Sequence, residues 1–219
     1  MIIINFKNYS QALGEEGIVL AENLEDAARD FPDVLLTLAV PAPSIAAISK
    51  AVEIPVYSQH IDPFDPGQTT GFVIAEAVKG AGASGTLISH SERPMAKEMI
   101  VDAERRARNL GLKTVVCTSS IKELVELKAI FGELEPDFFA YEPPELIGGR
   151  VSVTEAEPAV IVDAVQKSSP TPLLCGAGVN SRSDVERALE LGTEGVLVAS
   201  DVVTAVEPAN ELRDLLEGF

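Results

Sequence analysis

Three residues of types that move protons and hold anions each follow a separate apolar run. Lys7 comes after Ile2-Ile3-Ile4, His90 after 85–88, and Glu142 after 138–141. Their local settings are Asn5-Phe6-Lys7, Ser89-His90-Ser91-Glu92 and Tyr141-Glu142-Pro143-Pro144. A positioned carboxylate, imidazole and ammonium are the groups that acid–base chemistry on an anionic substrate calls for. Glycine-bearing turns follow later runs, at Gly148-Gly149 and Gly176-Ala177-Gly178, with Ala199-Ser200 after the last. Such turns let backbone N–H groups approach a phosphate closely. Taken singly, each residue has a structural explanation. Lys7 could be a solvated loop charge, His90 a hydrogen-bonding group, and Glu142 a strand terminator. The joint occurrence carries the argument.

For these residues to meet, the elements between them must bring successive strand ends to one face. Short β-branched or apolar runs at 2–4, 34–38, 56–58, 85–88, 114–117, 138–141, 173–175 and 195–198 read as strands buried on both faces. Segments of helical spacing separate them, at 15–29, 43–51, 71–79, 94–110, 121–131, 155–167, 184–191 and 202–216. Strict alternation implies parallel strands with right-handed crossovers. Eight such units predict a (β/α)8 barrel, α/β in class, with residues 1–219 as a single domain. A doubly wound open sheet is the alternative, with its ligand site at a strand-order reversal. In a barrel, the catalytic groups cluster where the strands end.

Composition narrows the partners. Seventeen Lys and Arg against 34 Asp and Glu leave a net charge of −17, which excludes nucleic acid and anionic membrane as partners. With 46% hydrophobic residues the chain can build a core, so it is no disordered acidic tail. Asn5 and Lys7 interrupt the apolar start before a signal peptide could form, and no apolar run reaches the roughly 20 residues of a membrane helix. A cytoplasmic setting is expected. Cys117 and Cys175 read as small buried apolar residues, and no cysteine–histidine cluster suggests a metal. His60 reads as structural. Gly80-Ala81-Gly82-Ala83-Ser84-Gly85 fits a dinucleotide-binding pattern but follows a helix and precedes a strand, the reverse of what that motif needs.

Asn5-Phe6-Lys7, Ile88-Ser89-His90-Ser91-Glu92-Arg93 and Ala140-Tyr141-Glu142-Pro143 with Ile147-Gly148 closely resemble the signatures of the triosephosphate isomerase family. Gln59-His60-Ile61-Asp62 and Cys175-Gly176-Ala177-Gly178 resemble its short archaeal branch. The resemblance implies cofactor-free, metal-free interconversion of dihydroxyacetone phosphate and D-glyceraldehyde 3-phosphate, in glycolysis and gluconeogenesis. It implies Glu142 as the base, neutral His90 as hydrogen-bond donor to the substrate oxygens, and Lys7 as fixed positive charge. Asn5 and Glu92 would hold Lys7 and His90 in place, with Gln59 in support. Gly148, Gly178, Ala199 and Ser200 would bind the phosphate, and 143–150 would form a lid. The helix starting near Pro94 would aim its positive end at His90. A homo-oligomer, dimer or tetramer, is implied as well.

The chain departs from the family at Gly149-Arg150, where Thr-Gly is usual, at Gly178 in place of a serine, and at Ala199-Ser200 in place of paired glycines. A phosphosugar enzyme for a larger substrate and a non-catalytic phosphate sensor are the competing readings. The acids concentrate on helices, for example Glu15, Glu16, Glu22, Glu25 and Asp26, then Glu186, Glu190, Glu207, Glu211, Asp214 and Glu217. That pattern suggests adaptation to a high-salt cytosol, where screening relieves self-repulsion, with an ordinary acidic mesophilic enzyme as the alternative.

Overall fold

The computed structural model describes residues 1–143 and 152–219. Eight parallel strands form a closed barrel in sequence order. They are β1 (Ile2–Asn5), β2 (Leu36–Val40), β3 (Val56–Ser58), β4 (Gly85–Ile88), β5 (Lys113–Thr118), β6 (Phe138–Tyr141), β7 (Leu173–Cys175) and β8 (Gly195–Val198). Closure comes from β8 pairing with β1, Ile2 opposite Val196. No strand edge remains exposed, and the alternative of an open sheet is ruled out.

The strands are apolar on both faces because both are covered. Ile3, Ala39, Tyr57, Leu87, Val115, Cys117, Ala140, Leu174 and Leu197 fill the barrel interior. Their neighbours Ile2, Ile4, Leu38, Val116, Phe139 and Val196 pack outward against the helices. Gly85 is required where it sits: a Cβ there would meet the Tyr57 ring at 2.5 Å.

The helices are α1 (Gly14–Ala28), α2 (Ile45–Ala51), α3 (Ala75–Gly80), α4 (Lys97–Asn109), α5 (Ile121–Phe131), α6 (Val153–Ala156), α7 (Pro158–Ser168), α8 (Arg182–Glu190), α9 (Ser200–Val203) and α10 (Pro208–Leu216). Several expectations need correction. β2 lies two residues later than its apolar run suggested, because Val34 closes a turn onto Phe31 O and pairing with β1 starts at Leu36. The segments expected as single helices at 155–167 and 202–216 are each split. Pro158 and Pro208 start new helices after Glu157 and Glu207 leave helical geometry. The Gly80–Gly85 pattern is a helix end and turn, with Gly82 at φ +108. The acids named above are exposed except Glu25, which is half-buried, whereas Glu104 of α4 is buried. Among the described residues, no helix is long and apolar enough to cross a membrane.

Candidate active site

The alternation of the strands decides which residues reach the mouth of the barrel. Ile3 points inward, so Asn5 does too, and Ala140 likewise places Glu142. Asn5 Oδ1 accepts the Lys7 N–H at 3.0 Å. Lys7 is held at φ +45, a conformation costly for a residue with a Cβ. Gln59 offsets that cost by donating from Nε2 to Lys7 O at 3.0 Å and to Ala39 O at 3.2 Å. The Lys7 ammonium in turn pairs with Glu92 Oε1 at 2.7 Å. Glu92 is more than half exposed, so the pair adds little stability and mainly aims the lysine.

Ser89, at φ +59, breaks the alternation at the end of β4 and lets His90 face the mouth. His90 Nδ1 accepts the Glu92 N–H at 3.2 Å, which leaves the proton of the neutral ring on Nε2. Nε2 lies 3.6 Å from Glu142 Oε2. Both side chains are deeply buried, with Glu142 3% and His90 7% exposed. Among the described residues, Glu142 Oε2 has no hydrogen-bond partner.

Helix α4 begins at Lys97, so Pro94 precedes it and the expected helix terminus does not directly follow His90. A turn closed by Arg93 N–H on His90 O occupies that place. The charge state of His90 is set by nearer groups. Burial pushes the imidazole down, but the Glu142 carboxylate, aided by Glu92, pushes it further up, and the net direction is upward. Burial pushes the Glu142 carboxyl up, yet His90, the Cys117 thiol and Lys7 together bring it below its usual value. Relative to free side chains both shifts favour ionisation, opposed at His90 by the Glu92 N–H, which needs an unprotonated Nδ1.

Cys117 is buried, as expected, but it is not merely apolar filling. Burial and the nearby Glu142 charge keep the thiol protonated. Gly176 also touches the base: a Cβ there would stand 2.6 Å from Glu142 Cγ and 2.8 Å from Oε1. Neither role was visible in sequence, although inward alternation on β5 and β7 points both residues at β6.

Gly178, Ala199 and Ser200 line one small cavity with Lys7, His90 and Glu142. Ala177 and Gly178 have φ of +71 and +73, a local reversal that turns the chain across the mouth. Asp201 borders the same cavity, a negative charge that sequence reading did not single out. Lys7 and His90 also face a larger cavity of about 490 Å³ bounded by Asn5, Gln59 and His60. His60 sits apart from the base, bonded through Nε2 to Asp62 at 3.1 Å. Gly148 and the lid segment from 144 onward lie outside the described residues. Among the described residues, no group of three His, Cys, Asp or Glu is disposed to hold a metal ion.

A closed parallel barrel with its charged groups gathered at the C-terminal strand ends defines the (β/α)8 class of enzyme scaffold. Within that class, the chain belongs to the triosephosphate isomerase family, whose model matches residues 1–215. A triosephosphate isomerase of Saccharolobus solfataricus is 41% identical over 219 residues, spanning 99% of this chain and 94% of that protein. One from Methanothermobacter thermautotrophicus is 43% identical over 220 residues, with coverage of 99% and 94%. The crystal structure of triosephosphate isomerase from Bartonella henselae shares the fold at a TM-score of 0.73 and 19% identity, covering 96% of this chain and 97% of that one.

Proposed function

We propose that Glu142 is the base in a triosephosphate isomerase reaction. Dihydroxyacetone phosphate and D-glyceraldehyde 3-phosphate differ by the position of one proton pair, and the chain interconverts them through an enediolate. Glu142 removes a proton from one carbon and returns it to the neighbouring carbon. His90 donates from Nε2 to the substrate oxygens in turn, and Lys7 supplies fixed positive charge to the enediolate and the phosphate. Asn5, Gln59 and Glu92 keep Lys7 and His90 in position. These assignments follow the established division of labour in this family. Backbone N–H groups of Gly178, Ala199 and Ser200, with Gly148 from the lid, hold the phosphate. Lid closure over the site excludes water.

The observation that carries this reading is the buried Glu142 Oε2, 3.6 Å from His90 Nε2 and without a hydrogen bond among the described residues. A buried carboxylate oxygen without a hydrogen bond is costly, and a passive phosphate sensor has no use for it. The test is turnover of glyceraldehyde 3-phosphate by the purified chain with no added metal or nucleotide. Isomerisation supports the reading, and no activity at any salt concentration overturns it.

Residues 1–219 act as one domain in this reading, the enzyme is cytoplasmic and serves glycolysis and gluconeogenesis, and it works as a homo-oligomer. The exposed acids adapt it to a salt-rich cytosol.

A further inference from the structure

Glu142 stands between two cavities and is the one described residue that lines both. On one side lies the cavity it shares with Lys7, His90 and Ser200. On the other lies a cavity of about 230 Å³ between the ends of β4, β5 and β6. That second space is lined by Ser89, Ser91, Thr118, Ser119 and the Glu123 carboxylate, together with Pro94 and the Cys117 thiol. Ser91 Oγ is buried there without a hydrogen-bond partner among the described residues. At its outer end Ser119 is exposed. The Ser119 N–H and hydroxyl donate to Glu123 Oε2 at 2.8 and 2.6 Å. A cavity of this size has room for several water molecules, at about 30 Å³ each, and the Ser91, Ser119 and Glu123 oxygens offer them hydrogen-bond partners.

We propose that this rear cavity holds a short file of water that exchanges the proton carried by Glu142 with solvent. The inference rests on Glu142 being the base. After taking a proton from carbon, Glu142 is a neutral acid with the substrate on one side and the water file on the other. It gives that proton to the first water, and one proton leaves the file at the Ser119–Glu123 end. A solvent proton returns along the same file to the carboxylate and is then delivered to carbon. No bond or charge changes overall; only the identity of the hydrogen does. Label loss then has a route separate from the substrate side.

The experiment uses dihydroxyacetone phosphate deuterated at the carbon that gives up its proton, turned over in ordinary water. The fraction of deuterium carried into glyceraldehyde 3-phosphate is read by mass spectrometry on early product. Ser119→Leu narrows the outer end, and Glu123→Gln removes the terminal proton acceptor while leaving an oxygen for Ser119. Both variants should raise retained deuterium about threefold or more while kcat stays largely unchanged. Should Ser119→Leu fold poorly, Glu123→Gln carries the test alone. Wild-type retention in an active variant overturns the rear route and leaves the isomerase reading standing. A wild-type chain with no isomerase activity overturns both.

Discussion

Glu142 Oε2 stands 3.6 Å from His90 Nε2, and the same histidine accepts the Glu92 N–H at Nδ1. One hydrogen bond therefore fixes the tautomer, while the carboxylate opposite pulls the ring toward its charged form. The opposite shifts of the two groups make this relationship measurable.

His90 is raised above the ordinary 6.5, and Glu142 is lowered below the ordinary 4.5. The His90 contribution to stability is complete below 6.5 and is lost as pH rises through its raised folded value. The Glu142 contribution is present above 4.5 and is lost as pH falls through its depressed folded value. The pair thus stabilises the unliganded fold most between those two ordinary values. An NMR titration of the His90 ring should give a midpoint above 6.5, falling in Glu142→Gln; an unchanged midpoint contradicts the coupling.

Lys7→Ala should lower kcat/KM by about 10²–10³-fold, since it removes a charge aimed at developing negative charge. Weaker binding of a phosphate-bearing inhibitor should accompany it. Near-normal kinetics would mean that the positive charge comes from another group.

Gly176→Ala forces a methyl group to within 2.6 Å of Glu142 Cγ. A displacement of the base by about 1 Å costs on the order of 100-fold in kcat. Circular dichroism should show an intact barrel alongside that loss. Wild-type kcat would show that Glu142 relocates without consequence.

The barrel itself was legible because each strand is a short β-branched or apolar run followed by an amphipathic segment. The gathering of Asn5, Lys7, His90 and Glu142 at one end of the barrel was legible because each stands at or shortly after the end of such a run. Features that depend on contacts between runs were not. Gly176 looked like a phosphate-loop glycine, yet its missing Cβ makes room for Glu142. Cys117 had the composition of core filling, and only the pairing of β5 with β6, Cys117 opposite Ala140, brings its thiol to the base. Pro94 looked like the first turn of a helix but lies before it, since α4 begins at Lys97. Pro158 and Pro208 carried the signal for two helix breaks, as prolines at helix starts usually do.

The net charge of −17 surrounds a site that must admit a phosphate dianion, with Asp201 at its edge. Molar KCl shortens the screening length to about 3 Å and should raise Tm and lower KM together. Comparison against low-salt buffer checks this. Equal Tm and KM in both conditions would contradict salt adaptation.

The most direct measurement is the kinetics of Glu142→Gln beside its binding of a phosphate-bearing inhibitor. The amide keeps the shape of the side chain but cannot take up the proton. Loss of kcat by about 10³-fold or more, with inhibitor binding retained, is the predicted result. A variant that turns over at the wild-type rate would remove Glu142 as the base and contradict the account at its centre.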